Sequence, residues 1–193
     1  MAGSIAPDSL IPRLRGRFGR DLHYEERCAS TQRLLSEEAP EGAVAVTNEQ
    51  SEGRGRLGRE WVAPAGTSVL ASVSLRPRVP PAYLPELSLV AGRACAQAVA
   101  EVAGVEAELK HPNDVLVNGH KIAGILCEAR EGRVVLGLGI NVSQRAGEFP
   151  ERSEFPASSL LLECGRDVDR AELLAAFLDH LEREYDAWVA TYG

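Results

Sequence analysis

The 193-residue sequence predicts an α/β (α+β) fold, with a mixed, mostly antiparallel sheet carrying helices on one face. Three observations predict it. Across residues 67–75, Val69, Ala71, Val73 and Leu75 alternate with Ser68, Ser72 and Ser74, the period of a strand with one apolar face. Residues 114–117 and 121–130 are joined by Asn118-Gly119, the strongest two-residue hairpin signal, and Glu131-Gly132 turns the chain again into 134–142. Finally, apolar stripes at helical spacing run through 82–103 and from Arg170 to about Trp188.

The remaining elements follow in order. Residues 1–20 are read as an N-terminal extension to a domain spanning 21–193. Leu10, Ile11 and Leu14 make at most one helical turn, too little for a helix-turn-helix, so no DNA-reading module is expected. Residues 21–28 form a first strand. Ser30-Thr31-Gln32 opens a short helix through Glu38, with Ser30 or Thr31 as N-cap and Leu34 and Leu35 inward; Pro40-Glu41-Gly42 ends it. The β-branched run 43–47 is a buried strand. After the Pro-rich break at 77–81, the helix 82–103 presents many alanines, for close packing on a sheet, and ends at Gly104. Residues 105–110 form a short strand, 143–157 an irregular stretch with Pro150 and Pro156, and 158–163 a short helix. Asp169 caps the last helix, whose Leu173, Leu174, Phe177, Leu181 and Tyr185 face inward.

Composition narrows the function. Apolar residues at 45% and charged residues at 25% suit one globular domain. A formal charge of −7 argues against a general nucleic-acid binder, so local positive charge points to a small anion. Cys28, Cys95, Cys127 and Cys164 lie far apart, without metal-ligand spacing, as expected of thiols in a reducing cytosol. Neither a secretory signal nor a membrane span is read, and a cytoplasmic location is expected.

Three stretches carry chemistry. Gln50–Trp61 holds three glycines and three arginines in twelve residues, the makings of a loop that is loose when empty and ordered by an anion. Lys110-His111-Pro112-Asn113-Asp114 puts a cation, an amide and a carboxylate at a strand–turn boundary. Lys121 opens the small, apolar run Ile122-Ala123-Gly124-Ile125-Leu126. Together these cations can neutralise a carboxylate and a phosphate brought face to face, with Asp114 holding Mg²⁺. No GxxxxGK[ST] run is present, so phosphate is not held by a P-loop of that kind.

These stretches, with Ser30-Thr31-Gln32 and Gly137-Leu138-Gly139-Ile140-Asn141-Val142, resemble the biotin protein ligase family in identity, order and spacing. The likeness covers roughly Leu22 to Trp188. It implies a fold related to lipoate ligases and class II aminoacyl-tRNA synthetases, and a two-step reaction. Biotin and MgATP would give biotinyl-5′-AMP, and the acyl group would pass to a lysine of a biotin carboxyl carrier domain. By motif position, Ser30, Thr31, Gln32 and Gln50 would line the biotin ring pocket, and Arg54, Gly55 and Arg56 would fold over biotin and phosphate. Lys121, with Arg54 and Arg56, would carry the catalysis and contact the biotin carboxylate. Arg56, Lys110, Asn113, Asp114 and Asn141 would serve the nucleotide, with Asp114 also the metal ligand. Strand 67–75 would supply the pocket floor, and the loop around Trp61 part of its cover.

The chain departs from the family pattern at His111, where Trp is usual, and at Gln32, where Asn is common. It is also read as lacking the SH3-like domain that usually follows. The resemblance needs no DNA or membrane partner and admits a homodimer. A lipoate or octanoate transferase of the same fold, and a non-catalytic biotin or biotinyl-AMP binder, are the alternative readings.

Overall fold

The computed structural model describes residues 3–130, 132–150 and 156–193. Seven strands make one sheet: β1 (Leu22–Cys28), β2 (Val44–Gln50), β3 (Ser68–Leu75), β4 (Glu108–Lys110), β5 (Asp114–Val117), β6 (His120–Arg130) and β7 (Arg133–Asn141). Their order is β1-β2-β3-β7-β6-β5-β4, with β1 and β2 parallel and every other neighbouring pair antiparallel. Asn118 (φ 51°) and Gly119 (φ 79°) close the β5–β6 hairpin in the left-handed backbone region that this dipeptide tolerates. Glu131 of the second expected turn, and residues 151–155 of the irregular stretch, lie outside the described residues.

The helices are α1 (Pro7–Leu10), α2 (Thr31–Leu34), α3 (Leu87–Ala103), α4 (Leu160–Cys164) and α5 (Arg170–Tyr192). The long α3 and α5 pack on each other and on one face of the sheet. Their Val90, Ala94, Ala98, Leu174, Phe177 and Leu181 share one core with Val69, Val73, Leu136 and Ile140. Burying each large apolar side chain is worth about 1.5–3 kcal/mol. Gly104 (φ 70°) ends α3 as expected, and Asp169 caps α5 by accepting from the Glu172 N–H at 2.9 Å.

Four local readings differ. Residues 81–86 form a 3-10 turn containing Pro85, so α3 starts only at Leu87. The helix expected through Glu38 stops at Leu34: Leu35 turns extended, and buried Arg133 takes up the carbonyls of Leu35 and Ser36. The serine face of β3, set against one apolar face in the sequence reading, is itself buried. Its hydroxyls are matched locally: Ser72 Oγ lies 2.8 Å from Thr31 Oγ1, Ser74 Oγ donates to the Ala39 carbonyl at 3.2 Å, and Ser68 Oγ accepts from Gln144 Nε2 at 2.7 Å. Lastly, the N-terminal segment joins the main core through Ile5, Leu10, Leu14 and Phe18, while Arg17 donates to Glu182 at 3.0 Å and Asp186 at 2.8 Å on α5.

Candidate functional site

The sheet face opposite α3 and α5 is where side chains give out. Register pairs Gly124 of β6 with Gly139 of β7, and Leu126 with Gly137. Gly137 and Gly139 are two residues apart and share that face. A Cβ on Gly139 would lie 2.5 Å from Trp61 Cε2, and one on Gly137 3.0 Å from Gln32 Nε2. Bare backbone is therefore required at Gly139 for the indole to lie where it does. Above this floor is a cavity of about 620 Å³, a volume suited to a small molecule or cofactor.

Its roof is the Arg/Gly loop, which folds as a small flap. Arg54 and Glu60 form an antiparallel bridge, the Gly55 N–H donates to the Arg59 carbonyl at 2.8 Å, and the Trp61 N–H donates to the Gly53 carbonyl at 2.9 Å. A 3-10 turn at Arg56–Gly58 makes the tip. The flap is tied across the cavity twice. Arg54 pairs with Glu128 of β6 at 3.1 Å, and Arg56 donates to Asn113 Oδ1 at 3.2 Å.

The walls come from α2, β2 and the β4–β6 region. Gln50 Oε1 accepts from the Thr31 N–H at 2.8 Å, setting the start of α2 against β2. Asn113 is held by Ile125 through Nδ2 to the carbonyl at 2.9 Å and by its own carbonyl at 3.0 Å. The preceding His111-Pro112 peptide is cis. Lys121 Nζ lies 2.7 Å from Asp114 Oδ1, outside hydrogen-bond geometry, so this half-buried contact is an electrostatic pair. The Lys121 backbone is gripped on both sides, donating to the Pro156 carbonyl at 2.8 Å and accepting from the Ser158 N–H at 2.9 Å. Asn141 fixes that segment by donating to the Ser158 carbonyl at 3.0 Å. Among the described residues, Gln32 Oε1 and Trp61 Nε1 are buried without a hydrogen-bond partner, each costing about 1–3 kcal/mol.

Ser30, Thr31, Gln32, Gln50, Arg54, Gly55, Arg56, Asn113, Asp114, Lys121 and Asn141 all line the one cavity. Lys110 does not: it is exposed on edge strand β4, outside the lining. His111 lines the cavity from an exposed position. Of β3, expected as the floor, only Ala71 contributes; β6 and β7 supply the rest, because they cross the middle of the sheet beneath the flap. The glycine floor, Glu128 as partner of Arg54, and Phe149 at the rim carry no assigned role in the sequence reading. The spacing Gly137-x-Gly139 was the available signal, since two glycines on one strand face mark a close approach.

Among the described residues, no group of three or more His, Cys, Asp or Glu side chains is arranged to hold a metal ion. Among the described residues, the carboxylates lining the cavity are Asp114 on the wall and Glu60 on the flap, a donor set that fits an ion arriving on a triphosphate rather than one caged by protein. Among the same residues, no helix is long and apolar enough to cross a membrane.

A mixed sheet thus carries one glycine-floored cavity, with an arginine flap above and a lysine–aspartate pair at its wall, in an α/β domain. Residues 15–144 match the Biotin/lipoate A/B protein ligase family, and the chain belongs to that family. It is 39% identical over 185 residues to the bifunctional ligase/repressor BirA of Bacillus subtilis, covering 91% of this chain and 57% of that protein. With the biotin--[acetyl-CoA-carboxylase] ligase of Mycobacterium tuberculosis it shares 40% identity over 152 residues, 77% of this chain and 56% of that one. The biotin protein ligase from Aquifex aeolicus, solved in complex with biotin and ATP, superposes with a TM-score of 0.80 at 32% identity, covering 90% of this chain and 73% of that one. The chain thus spans a little over half the length of the curated relatives it matches.

Proposed function

We propose that this chain, with residues 21–193 as its catalytic domain, is a biotin–[biotin carboxyl carrier protein] ligase. It activates biotin with ATP and transfers the acyl group to one lysine of a carrier domain. The observation that carries this reading is the convergence of Arg54, Arg56 and Lys121 with Asp114 on one cavity floored by bare backbone. The relatives' names and the complex of the Aquifex enzyme with biotin and ATP support the same substrates.

In the first step a biotin carboxylate oxygen attacks the α-phosphorus of ATP, the bond to the bridging β-phosphate oxygen breaks, and pyrophosphate leaves. The two reactants are both anionic, and the cations lower their repulsion in a pocket that excludes water. Lys121 exchanges its resting partner Asp114 for the substrate carboxylate. Arg54 and Arg56 bring the flap down over the acyl phosphate, and Asn113 orients Arg56. Magnesium, bound with the triphosphate, supplies further charge neutralisation, and Asp114 is the residue that would hold it. Ser30, Thr31, Gln32 and Gln50 orient the ring end, while Asn141 sets the wall that carries Lys121. Lys110, exposed beyond the wall, acts on the nucleotide's outer phosphates. In the second step the carrier amine attacks the acyl carbon, the carbon–oxygen bond to AMP breaks, and AMP leaves as the amine loses a proton. The reaction calls for neither DNA nor a membrane and belongs in the cytoplasm beside its carrier.

The test is mass spectrometry of a carrier domain incubated with this protein, biotin and MgATP. The expected result is one biotinyl addition that disappears without ATP. No addition, or an equal addition when lipoate replaces biotin, would overturn the assignment.

A further inference from the structure

Leu57, at the tip of the flap, is explained neither by its backbone nor by burial. It is one of two non-glycine residues with positive φ among the described residues, at 58°, a conformation that disfavours leucine. Its side chain is 87% exposed. Val62, just past the flap, is 60% exposed, so two of the four exposed large apolar side chains among the described residues line the cavity mouth. Isolated exposed apolar residues are ordinary, but a γ-branched one held in a strained turn beside a site entrance is not. Local preference alone would put Gly or Asn there.

The flap is also the basic spot on an acidic chain. Arg54 is tied to Glu128 and Arg56 to Asn113, whereas Arg59 stands exposed next to Leu57 and Gly58. On a chain of net charge −7, three arginines within six residues make the flap a local concentration of positive charge that an acidic partner would meet favourably.

We propose that the flap tip, Leu57 with Val62 and Arg59, is the docking surface for the acceptor protein of the second half-reaction. That partner presents its target lysine on an acidic surface with an apolar side chain beside it. The inference rests on the acyl-transfer reading above. A macromolecular amine can reach an acyl carbon inside the cavity only by meeting the rim of its mouth, and the flap forms that rim. The covalent step is the one already written: nitrogen joins the acyl carbon, AMP departs and one proton is released.

The experiment compares Leu57→Asn with the parent chain, using two acceptors, a biotin carboxyl carrier domain and hydroxylamine. Asparagine accepts positive φ, so the turn is preserved while the apolar group is lost. The expected outcome is a KM for the carrier raised about tenfold, equivalent to about 1.4 kcal/mol, well in excess of any change in the rate with hydroxylamine. Arg59→Ala should raise the same KM by a smaller factor, and that rise should vanish at high salt. An unchanged carrier KM in Leu57→Asn would overturn the proposal, as would an equal loss with both acceptors, which would make Leu57 part of ligand closure. If the parent chain releases no pyrophosphate with biotin and ATP, the underlying reading fails instead, before docking is tested.

Discussion

On the face covered by α3 and α5, Val69, Val73, Leu136, Ile140 and Phe177 interlock in a single core, and every one is buried. On the opposite face of the same strands, Gly124, Gly137 and Gly139 present backbone alone, and the space is filled by Trp61, Gln32 and an open cavity. One strand thus serves two purposes one residue out of phase: on β7, Leu136 and Ile140 hold the fold while Gly137 and Gly139 make room for the cavity. The stability of the domain and the shape of its site are therefore adjustable almost independently, because alternation sends their determinants to opposite faces.

Mutations on each face can break or sharpen this separation. The largest effect is expected from Phe177→Ala, which should cost about 3–5 kcal/mol of unfolding free energy in a denaturant titration. The folded fraction should keep its KM for biotin; a large KM change would mean the faces are coupled. Next, Lys121→Ala should slow adenylate formation by about 10²–10³ while moving the melting temperature little. Pyrophosphate release near the parent rate would remove Lys121 from the chemistry. Gly139→Ala sits between the two classes: a methyl 2.5 Å from the Trp61 ring must displace it. Overpacking of about 1–3 kcal/mol predicts biotin affinity lower by roughly 10- to 100-fold by calorimetry, without comparable loss in global stability. Glu128→Gln should loosen the flap tie to Arg54, shortening the adenylate lifetime several-fold while costing less than about 1 kcal/mol of stability, as expected for an exposed pair.

The smallest effect concerns thiols. Burial pushes Cys127 up to about 11 and Cys95 up to about 12, so both stay protonated and unreactive to alkylating reagents near neutral pH. Both shifts are upward, so the unfolded chain gives up these protons first. The resulting stability loss begins above the ordinary thiol value of about 8.5 and develops as pH climbs through the folded values.

What could be read from the sequence was whatever local sterics decide. Asn118-Gly119, the Asp169 cap and the Gly104 terminator are set within a few residues, and each formed as read. The gathering of Ser30, Gln50, Arg54, Asn113, Lys121 and Asn141 was legible through motif likeness, whereas their meeting over β6 and β7 depends on strand order. No local pattern reports that β7 inserts between β3 and β6, so motif likeness alone points to β3 as the floor. Nor does alternation reveal that Thr31, Ala39 and Gln144 would cover the serines of β3. The early end of α2 was hidden for the same reason, since its stop comes from Arg133, about a hundred positions away in the chain. Lys110 shows the converse case: it adjoins Asn113 and Asp114 in sequence, but edge strand β4 carries it outside the cavity lining.

The pairing of Lys121 with Asp114 at 2.7 Å bears on how the cleft meets the cell's background of free phosphate and stray acids. A lysine already neighboured by a carboxylate offers a lone anion only a swap of companions, with little net attraction. A guest that brings a carboxylate, a polyphosphate and its own counter-ion can satisfy both members of the couple at once. On the proposed reading, the site prefers the full set of reactants over any single negatively charged passer-by.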